Sequence, residues 1–162
     1  MSLQKKNIRE LTLAELKDFF IEHKYPSFRA NQVYEWLWKK SVSYFSEMRN
    51  VSKEIIELLD EAFIIQHLQI TESQKSADRT IKSAFKLFDE NNVEGVLIPT
   101  KSRITACISS QVGCSLSCKF CATGKLDRLR NLNVDEMYDQ VFMLNELAQK
   151  NYQKKLSNIV YM

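Results

Sequence analysis

Four cysteines occur in the 162 residues, and three of them fall close together as Cys114-Ser-Leu-Ser-Cys118-Lys-Phe-Cys121. Thiolates are the usual ligands of iron–sulfur clusters, and spacers of three and two residues let one loop wrap three corners of a cubane 4Fe-4S cluster. Three ligands leave the fourth iron coordinatively open, and an open position is what lets a metal bind a substrate or cofactor directly. A structural zinc site is the alternative. It wants four protein ligands, and only Cys107, His23 or His67 is left to complete it, with no second closely spaced cysteine pair in the chain.

Composition narrows the setting. Only Gly95, Gly113 and Gly124 occur, so a glycine-rich phosphate loop is excluded. A net charge of +3 permits a polyanionic partner without requiring one. No apolar run approaches a membrane span, and the stretch from Met1 to Lys6 lacks the hydrophobic segment of a signal peptide, so the expectation is a cytoplasmic protein with no membrane partner. In that reducing compartment clustered cysteines argue for metal or redox chemistry over a disulfide framework.

The elements that must carry the cysteine loop divide along the chain. Thr12 with Glu15 forms a capping box, and Leu13, Leu16, Phe19 and Phe20 recur at helical spacing, which predicts a helix to His23. Tyr25-Pro26-Ser27 breaks it. Further helices are predicted from Phe28 to Lys40, with Val33, Trp36 and Leu37 on one side, and from about Ser52 to Phe63, with Ile55, Leu58, Leu59 and Ala62 as the apolar stripe. After His67 the pattern turns to strands. Leu68 and Ile70, then Ile81, Phe85 and Leu87, recur at even separations around a polar turn from Ser73 to Asp78. Asn91-Asn92 marks a second turn before a strand from Val93 to Ile98, and Arg103 to Ser109 alternates Ile104, Ala106 and Ile108 against Thr105 and Cys107.

Beyond the cysteines, Asn133 with Glu136 caps a helix to about Gln149 that presents Val134, Met137, Tyr138, Val141 and Phe142 on one face. Ser157 to Met162 has the pattern of a buried strand. Strand, cysteine loop, helix and strand form the opening of a parallel barrel of alternating strands and helices. The expected fold class is thus an α+β accessory region followed by a partial (βα) barrel. Its divisions are a helical accessory domain at 1–65, a β meander at 66–100 and the start of the barrel at 101–162.

The residues around the cysteines resemble one family. An aromatic residue before the last cysteine, Phe120, fits the radical S-adenosylmethionine (SAM) pattern. The stretches Val93-Glu-Gly-Val-Leu-Ile-Pro99, Cys107-Ile-Ser-Ser-Gln-Val-Gly-Cys114, Cys118-Lys-Phe-Cys121-Ala-Thr-Gly124 and Val160-Tyr-Met closely resemble the RlmN family. Phe28-Arg-Ala-Asn-Gln-Val and Trp36-Leu-Trp-Lys-Lys extend the likeness to its accessory helical domain. The resemblance implies a radical SAM methyltransferase that acts on C2 of adenosine in 23S rRNA and in tRNA. It further implies a 4Fe-4S cluster and S-adenosyl-L-methionine as cofactors, a flavodoxin-like or other one-electron reductant, and a monomeric full-length protein. Cys114, Cys118 and Cys121 would be the cluster ligands. Glu94 matches the family's proton acceptor. Cys107 matches the cysteine that forms a transient disulfide with a second, methyl-carrying cysteine. Without the resemblance, Cys107 on a strand reads as a small buried hydrophobe, and Glu94, sharing strand parity with Val96 and Ile98, reads as an awkward residue to expose.

Lys119, Lys125, Arg128 and Arg130 flank the cysteines and are candidates for RNA phosphate contacts or for a solvated basic loop. Trp36 and Trp38 offer stacking surfaces, although Trp36 on the apolar stripe reads as core. Family members continue past Tyr161-Met162 with Gly-Met-Gly-Glu-Pro and the rest of the barrel, and no spare cysteine is present to carry a methyl group. The expectation is a truncated chain, inactive alone. Two other readings stay open at this point: a Cfr-type enzyme acting at adenine C8, and a non-catalytic RNA-binding chain.

Overall fold

The structure is a computed structural model that describes residues 5–116 and 118–162, so Met1 to Gln4 of the N-terminal stretch and Ser117 of the cysteine loop lie outside the described residues. The chain divides into two compact units, one ending at Gln66 and the other beginning at His67.

The first unit is helical. A short strand β1 (Lys6–Asn7) leads to α1 (Leu13–Glu22), α2 (Phe28–Lys39) and α3 (Lys53–Ala62), and β2 (Phe63–Ile64) returns to pair in parallel with β1. The capping box forms as its sequence dictates: the Glu15 amide donates to Thr12 Oγ1 at 3.2 Å, and the Thr12 amide donates to Glu15 Oε2 at 2.7 Å. The helix stops where Lys24 adopts a left-handed backbone (φ 62°), which turns the Tyr25 amide back onto Phe20 O at 2.8 Å and the Lys24 amide onto Ile21 O at 2.9 Å. Leu16, Phe20, Val33, Leu37, Ile55 and Leu59 bury the three apolar stripes in one core with Ile8 and Phe63. Trp36 and Trp38 are half-buried against that core, and each is faced by a cation: Lys40 Nζ lies 3.5 Å from the Trp36 ring centre and the Arg9 guanidinium 5.0 Å from that of Trp38.

The second unit is a mixed sheet with one helix across it. Strands β3 (Gln69–Lys75), β4 (Ile81–Lys86), β5 (Asn92–Pro99) and β6 (Ile104–Ile108) form an antiparallel meander. A two-stranded ladder of β7 (Gln111–Val112) and β8 (Arg130–Asn131) follows, then α4 (Val134–Tyr152), and β9 (Asn158–Tyr161) pairs in parallel with β6. A parallel neighbour cannot be reached by a hairpin, and α4 supplies the crossover. The meander and the segment beyond residue 100 therefore share one sheet, in the order β3-β4-β5-β6-β9. The fold is a mixed α+β arrangement. Among the described residues no helix is long and apolar enough to cross a membrane.

Among the described residues α4 covers one face of this sheet. Ile81 and Phe85 of β4, Val93 and Leu97 of β5, and Ile104, Ala106 and Ile108 of β6 are buried with Leu144 and Ala148 of α4. In β6 Ile104, Ala106 and Ile108 are buried as the alternation predicts, but Thr105 on the other side is buried too, and only Cys107 is half-buried. Three expectations are corrected. The polar residues from Ser73 to Lys75 are strand, and the turn sits at Ser76 to Thr80, where Asp78 accepts from the Thr80 amide at 3.0 Å. Strand β9 forms, yet Ile159, Val160 and Tyr161 are all exposed. The buried side of α4 is also not the apolar stripe that periodicity selects: Val134 is 68% exposed, whereas Asp135, Glu136, Asp139 and Gln140 are all buried. Asp139 and Gln140 bond main-chain groups remote in sequence and Glu136 bonds the Arg130 guanidinium, partners that an apolar periodicity cannot register.

Candidate metal centre and the open sheet face

The cysteine loop leaves the sheet after β6 and returns through β8. Its base is the Gln111–Asn131 and Val112–Arg130 ladder. Two glycines shape what lies between. Gly113 has φ +73°, and a Cβ there would stand 2.0 Å from the Asp127 carbonyl oxygen, so the loop's two limbs meet where a side chain has no room. At Gly124 a Cβ would stand 2.7 Å from the Cys118 carbonyl oxygen. Between them the Cys114 amide donates to Leu126 O at 3.2 Å and the Cys121 amide to Cys118 O at 3.1 Å, which ties the segments bearing the three thiols into one turn system.

Cys114, Cys118 and Cys121 are half-buried free thiols, as is Cys107. Among the described residues no three His, Cys, Asp or Glu side chains converge on one point. The donor set nevertheless fits an iron–sulfur cluster: three reduced thiols come from one closely turned loop, and the Leu116 amide already points at Cys114 Sγ at 3.5 Å. Phe120 and Leu116 are exposed at 94% and 76%, which leaves apolar surface beside the thiols.

Cys107 and Glu94 lie on the uncovered face of the sheet. Cys107 stands opposite Val96 on one side and Val160 on the other, and Glu94 shares the strand parity of Val96. The expectation that this parity makes exposure awkward is overturned. With α4 covering only the opposite face, Glu94 is exposed and pairs with Lys82 Nζ at 2.9 Å. Cys107, the fourth of the five residues of its strand, is half-buried, not the fully buried hydrophobe that its type suggests.

Four contacts anchor the loop's return limb. Arg130 Nη1 and Nη2 donate to Glu136 Oε2 and Oε1 at 2.7 and 2.8 Å, Nε donates to Asp89 Oδ2 at 2.7 Å, and Nη1 also reaches Asn131 O at 3.1 Å. This bidentate fork is the strongest form of ionic hydrogen bonding a side chain offers. Bonding to both carboxylates raises the affinity of the guanidinium for its proton, and the Arg130 hydrogen bond holds the Asp89 carboxyl well below its ordinary range, at about 2. Arg130, grouped by sequence with the phosphate-contact candidates, is therefore committed to the protein itself. Lys119, Lys125 and Arg128 are exposed.

The same helix also holds the start of the sheet and the loop's departing limb. Asp139 accepts from the Leu68 amide at 3.1 Å and from His67 Nδ1 at 3.2 Å at the start of the sheet, and Gln140 bonds Ser109 at its far end. Sequence reasoning missed Asp89, Ser109 and Gln140, and it gave Arg130 a different role. The only available signal was the run of polar residues on a helix otherwise patterned to pack.

In the helical unit a groove of about 420 Å³ is lined by Tyr44, Phe45, Ile56, Phe63 and Asp60 among others, and it holds none of the sequence-predicted site residues.

Comparison with known proteins follows both units. Residues 6–65 match the family described as the ribosomal RNA large subunit methyltransferase N-terminal domain. Over 159 residues, 98% of this chain, it is 54% identical to a protein of Christiangramia forsetii named probable dual-specificity RNA methyltransferase RlmN, of which it covers 45%. A protein of the same name from Cytophaga hutchinsonii is 56% identical over 160 residues, 99% of this chain and 44% of the relative. Among solved structures, a radical SAM methyltransferase from Sphaerobacter thermophilus superposes with a TM-score of 0.78 at 30% identity, covering 96% of this chain and 47% of that one. The chain spans less than half the length of the curated relatives it matches. The chain is thus similar, over nearly its whole length, to the N-terminal portion of RlmN-type proteins, from the helical domain through the cysteine loop to the strand beyond it.

Proposed function

We propose that the protein built on these residues methylates C2 of adenosine in 23S rRNA and in tRNA. What supports this reading most is one juxtaposition. Glu94 and Cys107 share the open face of the sheet, and the three-thiol loop departs from the end of the strand that bears Cys107. In this reading the parallel unit of β6, α4 and β9 is the opening of a radical SAM barrel whose interior is the uncovered face.

Cys114, Cys118 and Cys121 would hold a 4Fe-4S cluster that binds S-adenosyl-L-methionine, and Gly113 and Gly124 let the limbs of their loop approach closely. When bound, that pair supplies one-electron chemistry, fed by a flavodoxin-like or other reductant. Such chemistry suits the target, because C2 of adenine is not nucleophilic and polar methyl transfer would fail there. Glu94 accepts a proton at its carboxylate, and its exposure on the open face leaves it accessible to a base approaching the sheet. Cys107 offers a free thiol on the same face for transient pairing with a methyl-carrying cysteine. Lys119, Lys125 and Arg128 contact RNA phosphates, and the helical unit contributes to RNA binding. The protein acts in the cytoplasm as a monomer.

The test uses the whole protein with SAM, a reductant and an RNA fragment of the large ribosomal subunit. Nucleoside mass spectrometry is expected to find 2-methyladenosine, lost in Glu94→Gln and Cys118→Ala. Formation of 8-methyladenosine instead, or RNA binding without any methylation, would overturn the reading.

A further inference from the structure

Gln140 is a fully buried polar side chain facing a strand end, a place where helix-on-sheet packing ordinarily calls for an apolar residue. Apart from a 3.4 Å contact from Nε2 to Glu136 O one turn back in its own helix, its amide is spent on a single residue. Gln140 Oε1 accepts from the Ser109 amide at 2.9 Å, and Gln140 Nε2 donates to Ser109 O at 3.1 Å. Both main-chain groups of Ser109 are thus satisfied by one side chain just past the last residue of β6, as a neighbouring strand would satisfy them. The Ser109 hydroxyl in turn donates to the carbonyl oxygen of Glu94 at 2.8 Å. The next residue, Ser110, accepts the Leu132 amide at 2.9 Å, where the cysteine loop comes back.

The departure of the loop, its return and the main chain of Glu94 therefore meet at Ser109 and Ser110, and Gln140 is the helical group that fixes this junction. We propose that Gln140 is a positioning residue. It sets Ser109, and through Ser109 it delivers Glu94 and the three thiols in one fixed spatial relation. The proposal rests on the function proposed above only for what those groups are used for. The positioning itself is a property of this chain.

The test compares Gln140→Met, which keeps volume and removes both bonds, with Gln140→Glu, which keeps an acceptor for the Ser109 amide and loses the donor to Ser109 O. Both are made in the full 162-residue chain without iron. At matched folded fraction, pulsed alkylation read by mass spectrometry is expected to show Cys114 reacting roughly tenfold faster in Gln140→Met, as local opening of the loop base becomes easier. Cys107, within the ladder of β6, should change little, and Gln140→Glu should fall between. Ser109→Ala keeps the main-chain bonds to Gln140, so it should leave the Cys114 rate near wild type. After anaerobic reconstitution, the electron paramagnetic resonance signal of the reduced cluster should broaden in Gln140→Met and sharpen again in Gln140→Glu.

An unchanged ratio of Cys114 to Cys107 rates in Gln140→Met overturns the proposal, as does an equal rise at both cysteines, which would mark a general loss of stability. If Gln140→Met does not fold, the same ratio in Gln140→Glu decides. A wild-type chain that takes up no iron would count against the cluster reading alone, because the alkylation ratio judges Gln140 without it.

Discussion

Replacing Arg130 by methionine tests the idea that ionic contacts anchor the cysteine loop. The substitution preserves much of the apolar stem and removes three charge-assisted bonds of 2.7, 2.7 and 2.8 Å. The two arms differ in weight. Asp89 is 37% exposed and Arg130 32%, so the Asp89 arm is screened by solvent and contributes at most about 1 kcal/mol. Glu136 is only 9% exposed, and losing its bidentate partner leaves a carboxylate with the Asn133 amide, at 2.8 Å, as its remaining contact. Breaking a fully buried pair from one side costs about 3–5 kcal/mol, and the partial exposure of Arg130 brings this arm to about 2. The expected loss is about 2–3 kcal/mol in the second unit, read by urea denaturation at pH 7 and by faster amide exchange across β8 and the first turn of α4. The double variant Arg130→Met with Glu136→Gln should be more stable than Arg130→Met alone, because it removes the stranded charge. A loss below about 0.5 kcal/mol, or strict additivity of the two substitutions, would refute the reasoning.

Other outcomes follow from the same structure. Asp89 has a folded-state pKa of about 2 against an ordinary 3.8, so its contribution is present above pH 4 and disappears as the pH falls toward 2. The stability difference between wild type and Asp89→Asn should therefore be about 1 kcal/mol near neutrality, allowing for solvent screening, and close to zero at pH 2; a difference independent of pH would count against the ion pair. Gly113→Ala meets both a positive φ and a carbonyl oxygen 2.0 Å from the new Cβ, so it should destabilise the loop base by more than about 2 kcal/mol, and a neutral effect in the same melt would show that the limbs do not meet there. Thr12→Ala removes the reciprocal cap of α1 and should cost about 1 kcal/mol, seen as faster exchange in the first turn of that helix and unaltered protection in α4.

What the sequence revealed was local. The Thr12 and Glu15 box, the stripes of the three N-terminal helices, and the alternation of β5 and β6 are each decided within a few residues, so periodicity and capping rules found them. The misread features depend on partners far along the chain. Gln140 looks like the polar side of a helix until Ser109, thirty-one positions earlier, is known to lie under it. Asp139 is buried because the Leu68 amide, seventy-one positions away, needs an acceptor. Arg130 resembles its basic neighbours in sequence and differs only in having Asp89 and Glu136 within reach. The exposure of Glu94 depends on which face of the sheet α4 covers, and strand alternation groups residues without choosing between faces. The cysteines themselves were legible because the ligand spacing is written in contiguous sequence, whereas the ladder and glycine contacts that close their loop join residues on its two limbs.

The claim that Cys114, Cys118 and Cys121 form a cluster site is tested most directly by anaerobic reconstitution of the chain, followed by iron and sulfide analysis with electron paramagnetic resonance of the reduced sample. About four irons per chain are expected, lost in Ala variants of any of the three cysteines and retained in Cys107→Ala. Stoichiometric zinc with no iron uptake, or iron retention that depends on Cys107, would contradict it.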